Sequence, residues 1–306
     1  MALVHGHGFV TLGTPDLDKS VEFYRTVCRL EVRERRDDEV FLTGNERHHW
    51  LRLVRRETPG LVRLGYQATD RDGIDEITRR LDAAGIAVSK GGNLADDAVH
   101  GGIRFRDPFG VEIEIYEEMV QAANSPVPGD VGFTDLLHAV VFVADVEQAR
   151  DFYVNTLDMR RSDQIEQLVV FLRAGNRYHH SIGLARGESG RLDHFAILVR
   201  DIDVVMRLRL HAIRLGVLGD DVVRHTASGS ISVYLRDDDL GSGIEFCTGH
   251  QVIDDDTFNG RLLKASPSTV NAWNVPYPDA DQPGGPAAVA ATGGTAAANL
   301  ASSSSP

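Results

Sequence analysis

The stretch "VTLGTPDLDKSVEFYRTVCRLEV", residues 10–32, decides the fold, because its pattern returns later in the chain. Its apolar residues predict a strand, then a helix from about Asp16 with Val21 and Tyr24 on one face, and then a second strand. The stretch "AVVFVADVEQARDFYVNTLDMRR", residues 139–161, has the same pattern about 129 residues further on. The chain therefore contains an internal repeat.

Two shorter motifs repeat in the same order, which makes a chance similarity improbable. The "GNERHH" at residues 44–49 returns as "GNRYHH" at residues 175–180. The "GVEIEI" at residues 110–115 returns as "GSGIEF" at residues 241–246. We therefore expect two homologous halves.

The repeat also sets the expected domain boundaries. The halves span residues 1–122 and 133–262, and the turn-rich residues 123–132 join them. A C-terminal extension covers residues 263–306. It is rich in Pro, Ala, Gly and Ser, which predicts disorder beyond about Pro278, since too few large apolar residues offset the ordering entropy.

Each half is itself doubled. In the second half, strand-plus-helix openings occur at residues 136–153 and again at residues 192–210, each followed by short strands. The chain as a whole then contains four βαβββ units, and the predicted fold class is α+β.

Composition narrows the possible partners. The net charge is −13 and no basic stretch is interleaved with aromatic residues, so a nucleic-acid partner is not expected. No apolar run is long enough to span a membrane, and the first residues lack the basic start of a secretion signal. The two cysteines, Cys28 and Cys247, suit a reducing cytoplasm.

Three residues on predicted strands of the second half could hold a metal ion. His138 opens one βαβββ unit, His194 opens the next, and Glu245 lies on a late strand of that unit. A carboxylate among apolar residues costs several kcal/mol to bury unless it is paired, so a positive group should face Glu245. Two imidazoles and one carboxylate are the ligands of the facial triad of non-haem Fe(II) enzymes.

At these residues the chain resembles the two-domain type I extradiol ring-cleavage dioxygenases of the vicinal oxygen chelate superfamily, over about residues 5–262. The resemblance implies that each half is a half-open mixed β-barrel with helices outside. It implies Fe(II), with Mn(II) as the less favoured metal, bound by His138, His194 and Glu245. It also implies a catechol and O2 as substrates, ring cleavage beside the diol, and a place in aromatic-compound catabolism. A homo-oligomer is expected.

The resemblance implies three further active-site residues. His180 in the "HH" pair is the expected acid–base residue, Tyr234 is expected to hydrogen-bond a catechol oxygen, and His225 to orient the substrate or assist ketonisation. His179 is expected to point away from His180 if both lie on a strand, in a structural role. No role is expected for His250, and the acidic run at residues 237–239 is expected to form a solvated turn.

The first half lacks the two imidazoles. Phe9 falls opposite His138, and Gly65 or Tyr66 falls opposite His194, although Glu114 matches Glu245. We therefore expect the first half to hold no metal and the second half to be catalytic.

Two other classes remain open on the sequence. The same βαβββ units serve glyoxalase-like isomerases and thiol transferases that use other metals, and they serve metal-free proteins that sequester aromatic drugs. His225 and Tyr234 argue against the first class. The presence of His138, His194 and Glu245 together argues against the second class.

Overall fold

A computed structural model describes residues 2–275 of the 306-residue chain. The disorder expected beyond about Pro278 lies outside the described residues. Among residues 2–275, no helix has both the length and the apolar composition needed to cross a membrane.

The first half contains eight strands and three helices. The strands are β1 (Val4–Thr14), β2 (Glu31–Arg35), β3 (Glu39–Thr43), β4 (Leu51–Arg55), β5 (Gly60–Ala68), β6 (Val88–Gly91), β7 (Val99–Arg106) and β8 (Glu112–Met119). The helices are α1 (Leu17–Thr26), α2 (Arg71–Ala83) and the short α3 (Leu94–Asp97).

The second half repeats this order of elements. Its strands are β9 (Phe133–Val143), β10 (Arg160–Ile165), β11 (Val169–Arg173), β12 (Ile182–Arg186), β13 (Leu192–Val199), β14 (Val223–Arg224), β15 (Ile231–Asp237), β16 (Ser242–Thr248) and β17 (Arg261–Leu263). Its helices are α4 (Val146–Leu157) and α5 (Ile202–Leu215), and the short α6 (Pro267–Val270) lies in the C-terminal extension.

Each half forms one mixed, open sheet. The strand order is β2-β3-β4-β1-β5-β8-β7-β6 in the first half and β14-β15-β16-β13-β9-β12-β11-β10-β17 in the second. In both sheets the opening strands of the two units are antiparallel neighbours at the centre, and each pairs in parallel with the last strand of its own unit. The predicted α+β class and the four βαβββ units are confirmed, and neither sheet closes into a complete barrel.

The main helix of every unit begins at an aspartate. Asp16, Asp70, Asp145 and Asp201 cap α1, α2, α4 and α5, and each side chain accepts a hydrogen bond from a backbone N–H in the first helical turn. Such caps stabilise a helix by about 0.5–2 kcal/mol. The repeated Asp of the sequence is therefore a repeated helix start.

A Phe-Tyr pair lies at matching positions of the two halves, at residues 23–24 and 152–153, and its tyrosine lies in each case against the other half. The Tyr153 hydroxyl of α4 donates to the Asp107 carboxylate of the first half at 2.7 Å. In the reverse direction, Tyr24 of α1 lies against Asp237 of the second half; burial and this carboxylate raise the Tyr24 pKa. The expectation of a solvated acidic turn is therefore wrong for Asp237, which is buried, whereas Asp238 and Asp239 are exposed.

Candidate metal centre

The three residues expected to bind metal meet at the centre of the second sheet. His138 lies on β9, His194 on β13 and Glu245 on β16, and these strands are neighbours. Glu245 Oε2 is 3.0 Å from His138 Nε2 and 3.1 Å from His194 Nε2, and the two nitrogens are 3.3 Å apart. All three side chains are buried. The partners of Glu245 are therefore these two imidazoles, and His194, whose pKa is raised, supplies the positive charge that was expected.

A fourth residue orients His194. The Asp193 carboxylate lies 2.7 Å from His194 Nδ1, and because a carboxylate only accepts, Nδ1 carries the proton. Burial alone would lower the pKa of His194, but Asp193 and Glu245 raise it to about 9. The same hydrogen bond aims Nε2 at Glu245, which is how carboxylates orient histidines that bind metals.

The side chains fit the metal that the resemblance implies. Three ligand atoms of different residues converge within 3.3 Å, and all belong to the donor types that divalent iron and manganese accept. The Nδ1 atom of His138 has no hydrogen-bond partner among the described residues, so its Nε2 is the nitrogen held toward the carboxylate. We call these three residues the triad.

His180 lies beside the triad on the His138 side. The two ring centroids are 3.9 Å apart, and Phe171 packs on the His180 ring at 4.8 Å. Burial, with the neighbouring imidazoles, holds the pKa of His180 well below its usual range, so the ring is neutral.

His179 and Asp163 extend His180 into a chain of hydrogen bonds. Asp163 accepts from His179 Nε2 at 2.9 Å, and His179 Nδ1 lies 3.0 Å from His180 Nδ1. The neutral His180 donates this hydrogen bond from Nδ1 and keeps a free lone pair on Nε2. Burial opposes ionisation of Asp163, but His179 and Arg261 lower its pKa.

The expectation for His179 is therefore wrong in its geometry. Residues 178–180 lie in the loop between β11 and β12 and not within a strand, so strand alternation does not separate the two rings. The sequence analysis missed the contribution of Asp163. A usable signal exists, because an acidic residue precedes each "HH" pair at a similar distance, and Glu34 makes the same contact with His48 at 3.0 Å.

His225 and Tyr234 lie on the opposite side of the triad, near Glu245. The His225 Nδ1 donates to the Val270 carbonyl at 3.0 Å, and its Nε2 lies 2.7 Å from the Tyr234 hydroxyl. Burial lowers the pKa of His225, so the neutral ring accepts the tyrosine proton at Nε2. The Tyr234 ring packs on His194 with the centroids 5.2 Å apart.

The first half fills the corresponding space with other groups. The ring of Phe9 lies where a Cβ at Gly65 would project, 2.2 Å from that position, so no larger residue fits at 65. Glu114 is paired with Arg63 at 3.0 Å and with Arg104 at 3.1 Å. Guanidinium groups thus take the place that imidazoles have around Glu245.

Because His7 of the first half is buried, we predict that the free energy of unfolding depends on pH. Burial lowers the pKa of His7 to about 3, whereas the unfolded chain takes up this proton near pH 6.5. The contribution of His7 to the free energy of unfolding therefore decreases as the pH falls from 6.5 toward 3. In the wild type, protonation of His7 in the unfolded chain lowers the free energy of unfolding by roughly 1.4 kcal/mol per pH unit below pH 6.5. Between pH 7 and pH 5 we therefore expect His7→Phe to lose about 2 kcal/mol less of its unfolding free energy than the wild type. Urea titrations at both pH values measure this, with exposed His100→Phe as the control. Equal losses in wild type and His7→Phe would contradict it.

Comparison with known proteins identifies the family. The family model described as Glyoxalase/Bleomycin resistance protein/Dioxygenase superfamily matches residues 6–115 and 135–247, one match in each half. The chain belongs to this superfamily. The resemblance inferred from the sequence is confirmed.

Relatives within the superfamily bear on the enzyme class. A biphenyl-2,3-diol 1,2-dioxygenase of Metapseudomonas furukawaii is 31% identical over 207 residues, which cover 62% of this chain and 67% of the relative. A manganese-dependent 2,3-dihydroxybiphenyl 1,2-dioxygenase of Geobacillus genomosp. 3 is 24% identical over 273 residues, which cover 81% of this chain and 86% of the relative. The expected class, a ring-cleavage dioxygenase, is confirmed.

A solved structure supports the fold alone. The Mn(II)-bound glyoxalase from Novosphingobium aromaticivorans superposes with a TM-score of 0.82 at 23% identity, over 90% of this chain and 92% of that chain. The roles expected for the individual site residues, the cytoplasmic location and the homo-oligomer stay predictions.

Proposed function

We propose that the chain is an extradiol dioxygenase, which opens the ring of a catechol beside the diol and keeps both atoms of O2 in the product. The observation that carries the proposal is the convergence of His138, His194 and Glu245 within 3.3 Å, between His180 on one side and Tyr234 on the other. Metal ligands and proton-transfer groups thus lie around one point.

We assign the metal to Fe(II), held by the triad of the second half only. One carboxylate with two imidazoles suits Fe(II) and also Mn(II), which the Geobacillus relative requires. When bound, the ion supplies open positions on which a catechol and O2 meet and exchange electron density. In the first half, the two guanidinium partners of Glu114 favour a metal-free state.

Tyr234 hydrogen-bonds an oxygen atom of the substrate, and His225 holds the tyrosine hydroxyl in place. Because the tyrosine hydroxyl donates to His225 Nε2, its oxygen is free to accept from a catechol hydroxyl. His225 keeps its orientation because its Nδ1 remains bonded to the Val270 carbonyl.

His180 holds and returns a proton on the opposite side. Its lone pair at Nε2 accepts a proton from a catechol hydroxyl, and the imidazolium that forms is stabilised through His179 by the Asp163 carboxylate. The proton is then available to the oxygen atom on which negative charge develops as the O–O bond breaks. Burial of the site excludes water from this transfer.

An apolar wall next to the triad suits an aromatic ring. Val140 and Phe142 follow His138 on β9 with the same side-chain direction, and Ala185 of β12 packs against them. We propose that the aromatic ring of the substrate packs against these side chains while its two oxygen atoms face the triad.

The test is a reaction of reconstituted protein with simple catechols. Metal is removed and Fe(II) is restored without oxygen; catechol and 18O2 are then added. We expect a yellow ring-opened product with two 18O atoms, and one O2 consumed per catechol. A metal-loaded protein that binds catechol but consumes no O2 would overturn the proposal, and activity with Mn(II) alone would replace Fe(II) in it.

Parallel reactions separate the other classes. A glyoxalase-like isomerase would convert the hemithioacetal of methylglyoxal and glutathione without consuming O2. A drug-sequestering protein would bind an aromatic ligand equally well with and without metal. Either result, in the absence of ring cleavage, would replace the proposed function.

Tyr234→Phe is predicted to give a mild defect. The change removes the 2.7 Å hydrogen bond to His225 and the oxygen that faces the substrate, but it leaves the metal ligands in place. One hydrogen bond contributes about 0.5–1.5 kcal/mol, so we expect a loss of roughly 2- to 15-fold, shared between kcat and KM. Steady-state kinetics at equal metal content measure it. A loss of 1000-fold or more would mean that Tyr234 carries the main proton transfer.

A further inference from the structure

His250 is a buried histidine whose ring makes no hydrogen bond. It is 7% exposed, and neither Nδ1 nor Nε2 has a hydrogen-bond partner among residues 2–275. An imidazole always carries at least one N–H group or lone pair that needs a partner, and leaving such a group unpaired in the interior costs about 1–3 kcal/mol. The proposed function gives this residue no task.

The backbone fixes the ring of His250 beside the triad. The loop after β16 is held at Gln251, whose N–H donates to the Ser228 carbonyl at 2.9 Å and whose carbonyl accepts from the His179 N–H at 2.8 Å. As a result the His250 ring centroid lies 4.8 Å from that of His180 and 5.6 Å from that of His138.

These three imidazoles surround one point. One nitrogen of each of His138, His180 and His250 lies within 4.8 Å of the others, and all three rings are buried. Nitrogens bonded to one tetrahedral zinc ion at 2.0–2.1 Å are roughly 3.4 Å apart, so small ring rotations close the gap. The Nδ1 of His138 is also unpaired.

We propose that His138, His180 and His250 form a second metal position, the three-imidazole site, which binds Zn2+ or Cu2+ in competition with the triad. Three imidazoles and a water are a known zinc ligand set. The site offers only nitrogen donors, which favour copper and zinc, whereas the carboxylate of the triad suits iron and manganese.

The two positions exclude each other through His138. A neutral imidazole has one lone pair, so His138 serves one ion at a time. An ion in the three-imidazole site removes a ligand from the triad and also occupies His180, the proposed acid–base residue. Binding there would therefore switch the enzyme off.

The test measures metal binding alone, so it does not depend on the proposed reaction. Metal-free Glu245→Gln, in which the triad lacks its carboxylate, is titrated with Zn2+ against a coloured chelator. We expect one Zn2+ per chain. Adding His250→Gln should weaken this binding at least tenfold, whereas adding His100→Gln, the same change at an exposed site, should leave it unchanged.

Two results would overturn the three-imidazole site. One is a Glu245→Gln, His250→Gln protein that is folded and binds Zn2+ as tightly as Glu245→Gln. The other needs no change at His250: the electron paramagnetic resonance spectrum of Cu2+ in Glu245→Gln should show hyperfine coupling to three nitrogens, and coupling to two or fewer would exclude the site.

Discussion

His194→Ala is expected to lose metal binding and ring cleavage together. The change removes one of the three ligands and leaves the buried Glu245 carboxylate with His138 as its remaining triad partner. Loss of an outer partner of a ligand typically weakens metal binding 10- to 100-fold, so loss of the ligand itself should weaken it by more than about 100-fold. Metal analysis after dialysis, together with catechol turnover, measures both effects.

A graded series sharpens this test. Asp193→Asn keeps all three ligands but removes the carboxylate that orients His194, so its metal affinity should fall by only about 10- to 100-fold. His100→Ala serves as the control because His100 is exposed on the first half. Full metal occupancy in His194→Ala would show that His194 is not a ligand.

The His180→Gln variant is expected to keep its metal and to have a much lower kcat. The imidazole that accepts and returns the proton is gone, while the triad stays intact. General acid–base groups contribute about 10²- to 10⁴-fold, so kcat should fall by that factor with a smaller change in KM. Metal content, measured on the same samples as kcat, separates this outcome from loss of a ligand.

His179→Gln extends the test along the hydrogen-bond chain. If His179 acts through His180, the variant should lose less rate than His180→Gln, and the double variant should be no slower than His180→Gln alone. Wild-type turnover in His180→Gln would refute the proposed acid–base role. Loss of metal in that variant would make His180 a ligand.

The fold was predictable because its signals are local and repeated. Asp16 and Asp145 mark helix starts in the sequence, and both cap helices in the structure. The triad could be proposed because His138 and His194 each lie on the opening strand of a unit, and Glu245 lies on the last strand of the second of these units. Each residue alone is a weak signal, but the repeat places all three on strands that are expected to be neighbours.

The interactions around the triad were not predictable, because they depend on loops and on distant parts of the chain. Strand alternation gave the wrong direction for His179, since residues 178–180 form a loop. Asp163 and His250 reach the site from other elements; the repeated acidic residue before each "HH" pair is a sequence signal for Asp163, but no such signal marks His250. Asp237 was expected in solvent but lies buried against a tyrosine of the other half.

The reciprocal contacts of Tyr24 and Tyr153 between the two halves bear on the origin of the chain. Each half gives one tyrosine to an aspartate of the other half, at matching positions of the repeat. Two identical subunits related by a twofold axis make contacts in this reciprocal way. An ancestor with a single half would have made both contacts with a second copy of itself, so the two halves of this chain keep the arrangement of a symmetric dimer. In a chain that joins two such halves, one half can lack the metal ligands while the contacts between the halves remain.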